Sequence, residues 1–403
     1  MEPKFKAAGY RDTDNSIRGG NILILTEIGA GDFVSTSGAI REIRRLYPYA
    51  RITLVVYPRN FELAENCPYV DEIIINSPKQ SNYKLFEFYK MNAPIAQRLL
   101  EQRFDICFAF TIHPNNPLLM YMSGAKIRVT AIYHENVEEV CDPNRLISHV
   151  MQFATHVFPC SVYGNHHAND AFALIENFLH LPIVNRKLEI WYTPADVGIA
   201  KQCLQGISSP IYSLNMGSTT GQRKCYPPEK YAKLLEMILH EEPTATFVIL
   251  GGGQDDLNSA AIIKNVAPQI YENHIIDLTD KINFRQSAAV LSFCDMHIGN
   301  DTGTVHVAAA VSCPVLQPNC FAANLPSRPT DILKCWYPYD VPSVIVLPEH
   351  ALDECNNGVY DSYGCKSNVP HCITQIEPEL LFDGFKLLKK RVVEGIIEPI
   401  YIY

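Results

Sequence analysis

The chain has 403 residues, 47% hydrophobic and 19% charged, the balance of a soluble protein able to bury more than one core. Its 34 basic and 43 acidic residues leave a net charge of −9, which argues against a general nucleic-acid binder. No apolar run approaches the roughly 18–20 residues that span a bilayer. The polar opening MEPKFKAAGYRDTDNSIRGG lacks a secretory h-region, and an odd count of 13 cysteines reads as reduced thiols in a cytoplasmic protein.

Residues 1–20 carry no periodic pattern and read as a flexible arm. Asn21–Thr26 is a short continuous apolar run, as expected of a strand buried on both faces of a parallel sheet. A turn with Gly29, Gly31 and Asp32 follows, then a helix over 35–47 and a second strand over 52–56. That is a βαβ unit, with a right-handed crossover expected. A strand at 72–75, a helix at 93–103 and a strand at 104–110 continue the series. The middle is less regular. It contains a helix over 165–181, stopped by Pro182, and an isolated strand-like piece at 188–192.

A second series begins at Ile211–Asn215 and alternates strands at 246–250, 275–278, 296–299, 314–316 and 343–347 with helices at 228–240, 283–293 and from Val305. The reading is therefore α/β: a first Rossmann-like domain at 21–190, a second at 205–375, and a final helix and tail at 376–403. Two doubly wound parallel sheets of this kind are expected to face a central cleft with the carboxyl ends of their strands.

The first loop fails as a dinucleotide site. Val34 stands where the third glycine of GxGxxG belongs, and Val56-Tyr57-Pro58-Arg59 offers no acid for ribose hydroxyls. No GxxxxGK[ST] motif is present either. What the loop offers is Asp32 beside two glycines, either as a general base on a hydroxyl nucleophile or as the N-cap of the next helix. In the second half, Asn300-Asp301-Thr302-Gly303-Thr304-Val305-His306 lies between a strand and a helix. Such a helix start is an anion site suited to a diphosphate. The bland alternative makes Asp301 and Thr302 ordinary caps and His306 a buried structural histidine. Ser218-Thr219-Thr220-Gly221-Gln222-Arg223-Lys224 adds hydroxyls and cations, and the loop at 251–255 follows another strand of the same domain. All three loops belong on one rim. A nucleotide diphosphate on that rim, with a carboxylate from the other domain, fits glycosyl transfer.

These residues resemble the lipopolysaccharide heptosyltransferases of glycosyltransferase family nine, over roughly residues 21–380. The match runs through Gly29-Ala30-Gly31-Asp32, Asn66-Cys67-Pro68-Tyr69-Val70-Asp71-Glu72, Lys224-Cys225-Tyr226-Pro227 and Gly299-Asn300-Asp301-Thr302-Gly303-Thr304-Val305-His306. The resemblance implies a GT-B fold and an inverting, metal-independent glycosyltransferase with no cofactor. It implies Asp32 as general base, with Gly29 and Gly31 in the acceptor-side loop. By the same resemblance Thr219 and Thr220 are expected to bind the donor diphosphate, Lys224 to stabilise the leaving nucleotide, and Ile282 to lie beside the adenine. The resemblance likewise implies Asp301 as the contact to the donor sugar, and Thr302, Gly303 and His306 as the diphosphate-binding turn. Gln254, followed by Asp255, lies near the position of the ribose-binding acid. The implied donor is ADP-heptose and the acceptor a saccharide hydroxyl of a glycan or glycolipid, in a cytoplasmic enzyme with room for peripheral contact at the inner membrane. Arg41, Arg44, Arg45, Arg51 and Arg59, and Lys389, Lys390 and Arg391, are the basic clusters for such contact. Cys355, Cys365 and Cys372 lack zinc-ribbon spacing, and no metal is assigned to them. A nucleotide-sugar epimerase and a catalytically silent nucleotide-sugar binder are the two rival functions.

Overall fold

A computed structural model describes residues 20–26, 29–76, 85–110, 115–133, 152–160, 165–208, 210–218, 221–324, 329–352, 367 and 369–403. The chain divides into two compact units, Met1–Trp191 and Tyr192–Tyr403.

The first unit contains strands β1 (Asn21–Thr26), β2 (Arg51–Val56), β3 (Glu72–Ile75), β4 (Ile106–Ala109), β5 (Ile127–Tyr133) and β6 (His156–Cys160). They pair in parallel in the order β3-β2-β1-β4-β5-β6. Central β1 shows why its sequence is continuously apolar: Ile22 through Leu25 are all fully buried. The connecting helices are α1 (Ala30–Leu46), α2 (Phe61–Ala64), α3 (Leu85–Glu101), α4 (Asn115–Met122) and α5 (His167–Leu179).

Helix α1 starts at Ala30, so Gly31 and Asp32 belong to its first turn rather than to a loop before it. Its polar face is not a free basic surface. Arg41 pairs with Glu42 and Glu189, Arg44 with Asp71, Arg45 with Glu42, and Arg51 of β2 with Glu72. The expected strand at 188–192 is also absent: the segment joins no sheet. It crosses α1 instead. The Glu189 N–H donates to Ser37 Oγ at 2.9 Å. The Glu189 carboxylate accepts from Arg41 (2.6 Å), Tyr69 (2.9 Å) and the Trp191 indole (3.2 Å). The crossing is possible because Gly38 has no side chain. A Cβ there would lie 2.6 Å from both the Lys187 carbonyl and the Phe172 ring of α5.

The second unit contains β7 (Ile211–Asn215), β8 (Thr246–Ile249), β9 (Ile275–Asp277), β10 (Met296–Gly299), β11 (Val315–Pro318), β12 (Ser343–Val346) and β13 (Ile400–Ile402). Their order is β13-β12-β11-β10-β7-β8-β9, again parallel. The helices are α6 (Pro194–Cys203), α7 (Pro228–Glu241), α8 (Gln254–Val266), α9 (Pro268–His274), α10 (Phe284–Leu291), α11 (Gly303–Ala310), α12 (Pro329–Trp336) and α13 (Pro378–Glu394). Two of them carry reciprocal capping boxes, Thr193 with Asp196 on α6 and Asn283 with Gln286 on α10. Helix α13 lies so close to the sheet that a Cβ on Gly384 would touch Leu316, Val346 and Ile402 at 3.0–3.3 Å. Its basic residues are engaged too: Lys389 pairs with Glu242, Lys390 lies 3.8 Å from Glu394, and Arg391 is buried. Among the described residues no helix is long and apolar enough to cross a membrane.

A glycine inside a helix ordinarily costs up to about 1 kcal/mol relative to alanine. At position 38 that order reverses, because the crossing segment and Phe172 occupy the space. Gly38→Ala is expected to destabilise the first unit by about 1–3 kcal/mol in urea unfolding. A stabilised variant would show that the segment does not pack on α1 as described.

Candidate functional site

In a doubly wound sheet, ligands bind where adjacent strands send their connections in opposite directions, at the carboxyl ends. The strand orders put that point between β1 and β4 in the first unit and between β7 and β10 in the second. The sequence-predicted residues follow β1, β7, β8, β9 and β10.

Asp32 follows β1 as the third residue of α1. The N-cap is Gly29, in extended conformation (φ −61°, ψ 162°), and no side chain caps the helix. The capping alternative for Asp32 is therefore wrong. Its carboxylate folds back over Gly29, where a Cβ would lie 2.8 Å from Oδ2. Gly29 thus makes room for the acid. The Gly31 carbonyl accepts from Ser35 Oγ at 3.2 Å. Asp32 itself has no hydrogen-bonding partner among the described residues.

The second unit's switch point carries more. Lys224 ends a short 3₁₀ turn (Gln222–Lys224) after β7, and its Nζ lies 2.6 Å from Asp301 Oδ2 and 3.4 Å from the Asp301 carbonyl. Burial pushes the Asp301 carboxyl up. The charge and hydrogen bond of Lys224, with His306 and Arg223, more than reverse this and hold its pKa below the ordinary carboxylate value. Burial lowers the Lys224 ammonium, but the charge and hydrogen bond of Asp301 outweigh it and the net shift is upward. The pair stays ionised. At the other end of the 3₁₀ turn, the Gln222 amide donates to Asp255 Oδ1 at 2.7 Å.

Helix α11 opens at Gly303, not Val305, so Gly303 and His306 both fall within its first turn. Thr302 occupies the N-cap position without capping. Its hydroxyl donates to Asn215 Oδ1 at 2.8 Å, and no side chain caps α11. The ordinary-cap alternative fails here, and the positive end of the helix is left open to an anion. His306 is buried beside the Asp301 carboxylate, whose pKa its charge helps to lower.

Three residues to which the motifs assigned no role hold these loops together. Asn300, fully buried, donates to the Met216 carbonyl and accepts from the Tyr226 N–H and the Tyr231 hydroxyl, both at 3.1 Å. Asn215 donates to the Leu250 carbonyl (3.1 Å) and to Asp256 Oδ1 (3.2 Å). Asp256 accepts the N–H groups of Gly217 (2.6 Å) and Gly252 (3.0 Å). Burial raises the Asp256 pKa, and those N–H groups offset it only in part. The available sequence signal was a pair of glycines at strand ends: a Cβ on Gly217 or Gly251 would lie 2.6 Å or 2.4 Å from the Asp256 carboxyl group.

Ile282 is half-buried between β9 and α10. Gln254 is exposed, and its amide bonds Asn258 within α8 at 2.8 Å. Thr219 and Thr220 lie outside the described residues, as do Cys355, Cys365 and most of the expected N-terminal arm. Cys372 is buried, with its sulfur 3.4 Å from the Leu352 N–H. Among the described residues no group of three or more His, Cys, Asp or Glu is placed to hold a metal ion.

The sequence profile described as glycosyltransferase family 9 (heptosyltransferase) matches residues 94–317. Lipopolysaccharide heptosyltransferase 3 of Escherichia coli K12 is 21% identical over 294 residues, 71% of this chain and 78% of that protein. A crystal structure of a family 9 glycosyl transferase from Veillonella parvula superimposes with a TM-score of 0.68 at 19% identity, covering 92% of this chain and 97% of its own. The E. coli ADP-heptose lipopolysaccharide heptosyltransferase II follows with a TM-score of 0.63 at 16% identity, covering 93% and 99%. The likeness establishes the GT-B fold.

His297, on the strand leading into the site, differs from His306. It is fully buried, its Nδ1 lies 2.9 Å from Ser213 Oγ, and its Nε2 has no partner among the described residues. Burial drives its pKa from 6.5 down to about 3. The unfolded chain therefore takes a proton below pH 6.5 that the folded chain refuses, and stability falls as the pH drops through that range. Between pH 7 and pH 5 this single group is expected to cost the second unit about 2 kcal/mol. Urea unfolding of His297→Gln should lack that part of the acid sensitivity, and an unchanged pH slope would exclude the assignment.

Proposed function

Since the chain belongs to glycosyltransferase family 9, and is thus a glycosyltransferase rather than an epimerase or a silent binder, we propose that it moves heptose from ADP-heptose to a saccharide hydroxyl of a lipopolysaccharide core, with inversion. The observation that carries this reading is the ionised Lys224–Asp301 pair beside the uncapped start of α11, at the second unit's switch point. A donor diphosphate there meets the helix's first-turn N–H groups, His306 and an ammonium. The named relatives add the sugar and the acceptor class: one is a lipopolysaccharide heptosyltransferase, and another carries ADP-heptose in its name.

In this reading Asp32 takes the acceptor proton as its oxygen attacks the anomeric carbon and the bond to the diphosphate breaks on the opposite face. Both Asp32 oxygens are available, since neither is spent on a hydrogen bond among the described residues. Lys224 and the α11 start take up the charge that develops on the departing diphosphate. Asp301 then has two tasks: it orients Lys224 before the donor arrives, and it faces the sugar once the ammonium turns to phosphate. Thr219, Thr220, Ile282 and Gln254 are assigned by the family resemblance to the diphosphate, the adenine and the ribose side of the donor.

Asp32→Asn is expected to lower transfer by about 10²–10⁴-fold while donor affinity stays within about twofold. Full transfer activity in that variant would remove the base. Lys224→Ala should weaken donor binding and slow turnover together, and unchanged values of both would count against its role. In a thermal-shift screen of ADP-, GDP-, UDP- and CMP-sugars, the ADP-sugars should give the largest stabilisation. A preference for any other base would overturn the donor assignment.

A further inference from the structure

We propose that Asp256 and Asn215 are positioning residues that keep the start of α11 uncapped for the donor diphosphate. The proposal rests on the donor-site reading above.

Threonine at an N-cap ordinarily turns its hydroxyl onto the N–H of the second or third helical residue. Thr302 is at that position in α11 and does not do so, because its hydroxyl is drawn 2.8 Å to Asn215 Oδ1. Asn215 has no choice of orientation. Both protons of its amide are spent, one on the Leu250 carbonyl at 3.1 Å and one on Asp256 Oδ1 at 3.2 Å. An inverted amide would set its oxygen against a carbonyl and a carboxylate. Its Oδ1 must therefore face Thr302. Asp256 is held in turn by the N–H groups of Gly217 and Gly252, one on each carboxylate oxygen. Burying a carboxylate is costly unless it is well bonded, and here two glycines clear its space. The relay Asp256–Asn215–Thr302 crosses the three loops after β8, β7 and β10. Its effect is to withhold the one side chain that would compete with a ligand for the α11 N–H groups.

The test is a double-mutant cycle on nucleotide affinity, measured by calorimetry on the full chain with ADP, and with GDP, UDP and CDP alongside. Asn215→Ala and Asp256→Asn are each expected to weaken ADP binding about tenfold, because the released hydroxyl now caps the helix. In a Thr302→Val background, which has no hydroxyl to release, neither should cost more than about twofold further. A crystal structure of unliganded Asn215→Ala should show Thr302 Oγ1 bonded to the Thr304 or Val305 N–H. Losses that persist in full in the Thr302→Val background, a hydroxyl that stays off the helix in Asn215→Ala, or ADP affinity indifferent to both variants would each overturn the relay while leaving the donor site standing. Failure of the unmodified chain to bind any of the four nucleotides would remove the donor site and the relay together.

Discussion

One buried amide organises the second unit's rim. Asn215 ends β7, where the chain turns one way to β8 and, after β9, the other way to β10. Beyond the last ladder pair the backbone groups of three departing loops need partners, and a buried group left without one costs about 1–3 kcal/mol. Asn215, Asp256 and Asn300 supply those partners from side chains. The loops can then leave the sheet in different directions with their backbone groups bonded. The glycines at 217 and 251 are there for the same reason, since any side chain would displace the acid that ties the loops together.

Charge is distributed differently at the two switch points. In the second unit every acid at the rim is engaged: Asp255 by Gln222, Asp256 by backbone N–H groups, Asp280 by the Gly253 N–H and Asp301 by Lys224. In the first unit Asp32 has no partner among the described residues. An acid that holds a loop must be saturated with donors, whereas an acid that is to take a proton must keep a lone pair free. The net charge of −9 is compatible with an anionic donor because the positive field is local: Lys224, Arg223, His306 and a helix start are gathered around one carboxylate. The arginines of α1 lie outside this economy: Arg41 pairs with Glu189 of the segment that ends the first unit, Arg44 with Asp71 just before β3, and Arg45 with Glu42 within the helix.

Where sequence reading fell short, the causes are physical. Gly29-Ala30-Gly31 reads as a turn because glycine is poor in helix interiors, yet a first turn has few intrahelical bonds to lose, and α1 begins there. The piece at 188–192 reads as a strand by its alternation, but alternation reports only that one side is buried, and here the burying surface is a helix. The short β13 has only three residues, Ile400–Ile402, and is completed as a strand by parallel pairing with β12 across the chain. Thr302 matches an N-cap by position and composition and is turned away by a partner 87 residues back in the chain.

The sequence by itself determined the alternation of short apolar runs with amphipathic helices, twice over, and the loops that carry acids, hydroxyls and a lysine at strand ends. Periodicity and turn chemistry act within a few residues, so they are written locally and can be read locally. The tertiary structure alone decided which of those groups are spent and which are open. Lys224 meets Asp301 across 77 residues and Asn215 meets Asp256 across 41. Hydrogen bonds of that separation exist only once parallel strands have been brought side by side. Asp32 keeps its carboxylate without a partner among the described residues, and α11 starts without a side-chain cap, because of what the fold placed next to each of them, or left away.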